Sequence, residues 1–222
     1  MYFNQETYSD AVVRCNEQQF RVHRLVLSAH SEFFATMFSG AWKLQKEESL
    51  VELKEVDESV VEAMLRFMYH FDYSNINGAS TMIFNAQVYG IAERYIIPSL
   101  KEHSAEKFRT AVSSGWNMGD FPLAIAEAYL STPEGDRGLR DVVVEVCHMH
   151  IDSLIENHAF CQVLRETVGF AADMVIFRCG QRKAYRCPSC SHLIHDDISK
   201  GSYHCTKCGE RRSNWVSYKF DE

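Results

Sequence analysis

The sequence contains no apolar run approaching the roughly 18 residues a membrane span requires, and no membrane segment is expected. Its start, Met1-Tyr2-Phe3-Asn4-Gln5-Glu6, lacks the basic and apolar regions of a secretory signal. There is no internal repeat and no low-complexity tract. Gly-x-Gly-x-x-Gly, the P-loop, Gly-x-Ser-x-Gly and His-Glu-x-x-His are all missing, which removes the familiar nucleotide-binding and hydrolytic signatures. The acidic pairs Glu47-Glu48 and Asp196-Asp197 are adjacent in sequence, so each pair splits across two faces of any helix or strand instead of forming an acid and base couple. No catalytic residue is assigned, and the chain is not expected to be an enzyme. An intracellular location, nucleus or cytoplasm, is expected. In that reducing setting the eight cysteines are free for metal or for burial rather than for disulfides.

What is present is an ordinary globular composition, 46% hydrophobic with 12% aromatic in 222 residues, enough for one good-sized core or for one core with a small appendage. The net charge of -7 is unevenly spread. Up to Phe177 there are 14 Lys and Arg against 25 Asp and Glu, whereas from Arg178 onward there are 9 against 5. The sign changes near residue 178, where the polar stretch Arg178-Cys179-Gly180-Gln181-Arg182-Lys183 suits a junction.

Periodicity organises the first hundred residues. Asp10 to Cys15 and Gln19 to His23 are β-type runs around the turn Asn16-Glu17-Gln18, which predicts a hairpin. Ser31 is placed to cap a helix carrying Phe33, Phe34, Met37 and Phe38, with Gly40 as its stop. Ser49 to Leu53 alternates as a third strand, with Val51 and Leu53 on one face. Asp57 caps a helix bearing Val60, Val61, Met64, Leu65 and Met68, and further helical periods follow through Val88, Ile91, Ala92, Tyr95 and Ile96, then from Leu100 to about Val112. Strands followed by a helical cluster make an α+β pattern.

From Trp116 to Phe177 the pattern is helical, broken at Thr132-Pro133-Glu134-Gly135. Leu139, Val142, Val143, Val146, His150 and Leu154 recur at helical spacing. Cys147, His148, His150, His158 and Cys161 resemble a ligand set only superficially, since packing of a buried Cys and of a His near an apolar stripe explains them.

Near the end, Cys187-x-x-Cys190 and Cys205-x-x-Cys208 enclose 14 intervening residues. Two such knuckles supply four thiolates to a tetrahedral Zn(II), and the spacing is close to that of a zinc ribbon. Pro188 and Gly209 suit the turns. One structural Zn(II) held by Cys187, Cys190, Cys205 and Cys208 is expected, coordinatively closed and so not hydrolytic. His192, His195 and His204 lie inside the loop, outside a quartet that is complete without them. A redox dithiol at Cys187-Pro188-Ser189-Cys190 would need a βαβ setting, which is absent, and would leave the second pair unexplained. The cations Arg178, Arg182, Lys183, Arg186, Lys200, Lys207, Arg211 and Arg212, with Tyr185, Tyr203 and Trp215 beside them, would suit phosphates and stacked bases, but no recognition-helix pattern follows the second knuckle. Nucleic-acid contact is a third-ranked reading.

The runs from Tyr8 to Phe38, Val60 to Tyr73 and Val88 to Phe108 together resemble a BTB/POZ domain, nearest the compact kind of filamentous fungi. Asp10 before a β-run, Phe20-x-Val22-His23-Arg24-x-Val26-Leu27, Ser31-x-Phe33-Phe34-x-x-Met37-Phe38 and Met68-Tyr69 carry the likeness. The resemblance implies the BTB/POZ fold over 8–110; the helical pattern gives a helical extension, 111–177, and the change of charge and the cysteine spacing give a zinc-ribbon-like β module, 178–222. The resemblance also implies a non-catalytic interaction protein that forms homodimers or heterodimers and recruits partners. A second reading is a substrate adaptor of a cullin-3 ubiquitin ligase. Cullin-3 binders usually carry hydrophobic-x-Glu after the helix ending near Phe38, where this chain reads Ala41-Trp42-Lys43-Leu44. Only seven residues precede Tyr8, so a strand-swapped dimer of the animal kind is not expected.

Overall fold

The structure, a computed structural model, describes residues 2–39, 49–75, 78, 80–180, 184–195, 198 and 201–220. They fall into two units, Met1–Phe170 and Ala171–Glu222.

In the first unit, β1 (Ala11–Cys15) and β2 (Gln18–Val22) form the expected hairpin, with Val13 opposite Phe20. β3 (Ser49–Leu53) then pairs with β1 in parallel, Val13 lying beside Val51, so the order is β2-β1-β3. The middle strand is buried at four of its five positions, which accounts for its nearly unbroken apolar run Ala11-Val12-Val13. Helices α1 (Arg24–His30) and α2 (Glu32–Ser39) follow the hairpin. Between them Ser31 accepts from Phe34 N–H at 3.2 Å, as its capping role requires, and also donates to the Tyr95 carbonyl at 2.6 Å. One hydroxyl thus starts α2 and ties it to a distant turn.

α3 (Glu58–His70) begins where Asp57 accepts from Ser59 N–H at 2.8 Å and stops at Phe71 in the left-handed region, φ 58°. Its residues Val60, Val61, Met64, Leu65 and Met68 are all buried. α4 (Thr81–Arg94) and α5 (Pro98–Gly115) complete the cluster, and Pro98 occupies the first turn of α5, where a missing N–H costs nothing. Ile96 leaves the apolar face expected of it: α4 has already ended, and Ile96 sits at φ 53° and exposed.

The sequence motif Asp10, His23, Arg24 and Tyr69 is a set of backbone ties. Asp10 Oδ1 accepts from Arg24 N–H at 2.8 Å. The Tyr69 hydroxyl accepts from His23 N–H at 2.9 Å and lies 2.8 Å from its Nδ1, whose partner nitrogen Nε2 is 3.1 Å from the Thr7 carbonyl. These contacts fix the angle at which β2 enters α1.

The extension comprises α6 (Phe121–Leu130), α7 (Arg140–Met149), the short α8 (Ile151–Leu154), α9 (His158–Glu166) and α10 (Val168–Gly180). Phe160 and Phe170 are buried and meet edge to face at 6.1 Å. The loop between α6 and α7 is pinned to the first helical cluster. Asp136 accepts from Tyr89 Oη at 2.7 Å and from Gly138 N–H at 2.9 Å, while Lys101 Nζ lies 2.7 Å from its other oxygen and 2.6 Å from Glu93. Burial opposes the charge on Asp136, yet the contacts from Lys101, Tyr89 and Gly138 win and hold its carboxyl below the usual range.

The second unit contains a small β module. β4 (Ala184–Arg186) pairs antiparallel with β5 (Leu193–His195) on one side and with β8 (Lys219–Phe220) on the other, and β6 (Tyr203–His204) pairs with β7 (Arg211–Arg212). A 3-10 turn, Trp215–Tyr218, precedes β8. The fold is therefore α+β, with a long helical extension and a later β region beside four cysteines. Among the described residues, no helix is long and apolar enough to cross a membrane. Gly40, Trp42 to Leu44, Glu47-Glu48, Arg182, Lys183, Asp196-Asp197 and Lys200 lie outside the described residues.

Candidate metal centre and interaction surface

The two Cys-x-x-Cys turns sit in the β4–β5 and β6–β7 hairpins and repeat one backbone pattern. Cys187 N–H donates to the His192 carbonyl at 2.9 Å and Ser191 N–H to the Cys187 carbonyl at 2.8 Å. In the second turn Cys205 N–H donates to the Glu210 carbonyl at 2.8 Å and Gly209 N–H to the Cys205 carbonyl at 2.9 Å. The residue after each second cysteine is left-handed, Ser191 at φ 58° and Gly209 at φ 75°. Glycine takes that conformation freely; Ser191 takes it against the usual preference of a side-chain-bearing residue.

This geometry turns all four Sγ atoms inward. Cys187 and Cys208 approach to 3.7 Å, Cys190 and Cys205 to 3.7 Å, and all four lie within 4.8 Å of one another. Thiolates about 2.3 Å from a tetrahedral centre would stand about 3.8 Å apart, so the spacing fits one chelated metal ion. It is too long for disulfides, which need about 2.05 Å. All eight cysteines are free thiols. Backbone amides of Cys208 and Lys207 hold the Cys205 thiol down to about 6, despite desolvation. The Glu210 amide acts the same way on Cys208, but desolvation and the three neighbouring thiols outweigh it and push that group up to about 12. Four thiols this close lose their first proton easily and the later ones with difficulty, unless a cation compensates the charge.

Behind the cysteines lies a core of Tyr185, Ile198 and Trp215, with Cys187 and Cys205, and Trp215 Nε1 donates to the Tyr203 carbonyl at 3.1 Å. Tyr185 and Trp215 are therefore packing residues and are not available to stack bases; of the three aromatics considered for that role, Tyr203 alone is exposed. The periodicity of the segment could not reveal this, because the core is assembled from residues up to 30 positions apart. The other cysteines and histidines are not gathered. Cys147 is buried, His150 stacks on Trp116 with centroids 3.8 Å apart, and Cys161 donates to the Ile155 carbonyl. Among the described residues, the four C-terminal cysteines are the one group of this kind placed to hold a metal.

A second feature lies in the first unit, where the start of α3, α4 and α6 border a recess of about 500 Å³. Glu55, Asp57, Glu93 and Glu127 line it together with the cation Arg94, and Leu130, 83% exposed, forms part of its wall. An acidic recess with an exposed leucine at its rim is suited to a protein partner rather than to a small anion.

The profile of the BTB/POZ domain matches residues 1–111, half of the chain. Curated relatives include "Kelch repeat and BTB domain-containing protein 4" of Homo sapiens, 28% identical over 115 residues, 50% of this chain and 20% of that protein. "Kelch-like protein 7" of Rattus norvegicus is 24% identical over 160 residues, 72% of this chain and 25% of the relative. The chain thus spans a fifth to a quarter of the length of these relatives. Among solved structures, the BTB domain of zebrafish PATZ1 aligns with 20% identity and a TM-score of 0.39, covering 48% of this chain and 79% of that one. That of human Gigaxonin aligns with 17% identity and a TM-score of 0.37, covering 46% and 78%.

Proposed function

The chain belongs to the BTB/POZ domain family, and from that premise we propose that it is an adaptor linking a cullin-3 ubiquitin ligase to a substrate. BTB/POZ domains are non-catalytic interaction modules, and the family resemblance includes many that recruit cullin-3. The observation that carries the choice is the match to Kelch-like protein 7. At 160 residues it outruns the 111 of the domain profile, so the likeness extends into the helical extension. A bare dimerisation module would need no such continuation. In this reading the domain over 8–110 and the extension over 111–177 form the ligase-binding face, and the acidic recess beside α6 receives the partner. Self-association through the BTB domain, without a ligase, is the second reading. The compact fungal kind remains the proposed subgroup.

The module over 178–222 is proposed to bind one Zn(II) through Cys187, Cys190, Cys205 and Cys208. Thiolate donors in a tetrahedral set favour zinc, and the metal supplies folding free energy on the order of 10 kcal/mol to a segment with few large aliphatics. The zinc holds the module's shape, and its outer surface offers a second contact.

The test is titration of purified full-length protein with the N-terminal region of cullin-3. Saturable one-to-one binding at low micromolar concentration is expected. No complex at tens of micromolar, with the protein folded and zinc-loaded, removes the ligase reading and leaves self-association.

A further inference from the structure

The four clustered cysteines are unequal in exposure. Cys187 and Cys205, the first of each turn, are buried against Tyr185 and Trp215; Cys190 is half-buried and Cys208 is exposed. Burial shields Cys187 and Cys205 from a reagent in solution. Cys208 is open to solvent, and the Cys187 sulfur stands 3.7 Å from its own across the cluster.

We propose that Cys208 is a site of reaction with hydroperoxides and that Cys187 is its resolving partner. The inference rests on the zinc reading above, because four thiolates around a divalent cation carry a net charge of -2 and keep their sulfurs electron-rich. In the first step the Cys208 thiolate attacks one oxygen of the peroxide. An S–O bond forms, the O–O bond breaks, and the leaving oxygen departs as hydroxide from hydrogen peroxide or as alkoxide from an organic peroxide. In the second, the Cys187 thiolate attacks the sulfur of the resulting sulfenic acid, forms the S–S bond and expels hydroxide. Two thiolates have lost two electrons and the peroxide has gained them; the released hydroxide or alkoxide is protonated by the acid form of the buffer. The two sulfurs close from 3.7 Å to about 2.05 Å. With two of four donors spent, the remaining pair does not retain the zinc, and the core around Trp215 opens.

The experiment uses full-length protein whose zinc content has been measured. Less than one zinc per chain defeats the zinc reading and this inference together; one zinc per chain followed by the failures below defeats this inference alone. Hydrogen peroxide is added, and zinc release to a chromogenic chelator is followed beside peptide mapping of the cysteines. Dimedone, which traps sulfenic acid, is expected to mark Cys208 ahead of the other three, and the first disulfide is expected to join Cys187 to Cys208. Cys208→His keeps a donor in place and removes the exposed sulfur; it should release zinc about tenfold more slowly. Release at the wild-type rate, or first modification at Cys190 or Cys205, overturns the proposal. If the variant does not retain zinc, the wild-type mapping decides by itself.

Discussion

The hydroxyl of Tyr89 stands where a β-carbon on residue 138 would be: the separation would be 2.2 Å, far inside any real contact. Gly138 is therefore required by the tyrosine rather than by its own backbone. Tyr89 cannot simply swing away, because it is buried and donates to Asp136. Gly138→Ala should cost about 1–3 kcal/mol, the usual penalty of overpacking. Tyr89→Phe removes the clashing oxygen, so the double variant should be less destabilised than the two single losses added together, as urea unfolding would measure.

The same loop predicts the acid limb of stability. The Asp136 carboxyl is depressed in the folded state, so its contribution is fully present above the unfolded carboxyl value near pH 4 and is lost as pH falls through the lower folded value. Asp72 is also depressed, chiefly by Lys107 and His103, but its side chain is 67% exposed against 9% for Asp136. Solvent screening therefore leaves it the smaller effect. Asp136→Asn should flatten the acid limb of a stability profile more than Asp72→Asn does.

Removal of metal should act on the two units unequally. With a strong chelator, Trp215 emission is expected to shift to the red as its buried indole reaches water, while the helical signal of the first unit persists. Cys187→Ser should produce the same state without chelator. Circular dichroism and fluorescence together check this; unchanged Trp215 emission after complete metal removal would mean that the core around it stands unaided.

The recess gives a surface prediction. Leu130 is almost wholly exposed, so Leu130→Asp should leave the unfolding free energy within about 0.5 kcal/mol of wild type. It should nevertheless weaken cullin-3 binding about tenfold if that face receives the partner. Glu127→Lys, on the same wall, should act in the same direction and more strongly at low salt.

The local part of this structure was legible in the sequence. The hairpin around Asn16, the strand at Ser49–Leu53, the caps at Ser31 and Asp57 and the four-cysteine spacing are each set by residues a few positions apart, and each appears where its pattern placed it. What the sequence hid is nonlocal. Nothing near Asp136 announces Lys101 and Tyr89 as its partners, and the burial of Trp215 follows from the return of a strand rather than from periodicity. His150 shows the same limit: helical spacing set it beside an apolar stripe, but α7 ends at Met149 and the imidazole turns to lie flat on Trp116. The left-handed Ser191 was also invisible, since only its symmetry with Gly209 marks it.

The pairing of β8 with β4 sets Ala184 opposite Phe220, with the Arg186 guanidinium 4.5 Å from the Phe220 ring. Neighbouring strands lie about 4.8 Å apart, so the first and last strands of the β module begin and finish side by side. A segment with adjoining ends can be spliced into a surface loop of another protein without stretching its host. Residues 184–220 are in that sense a portable cassette, and their transplant would carry the cluster of four thiols into a scaffold that has none.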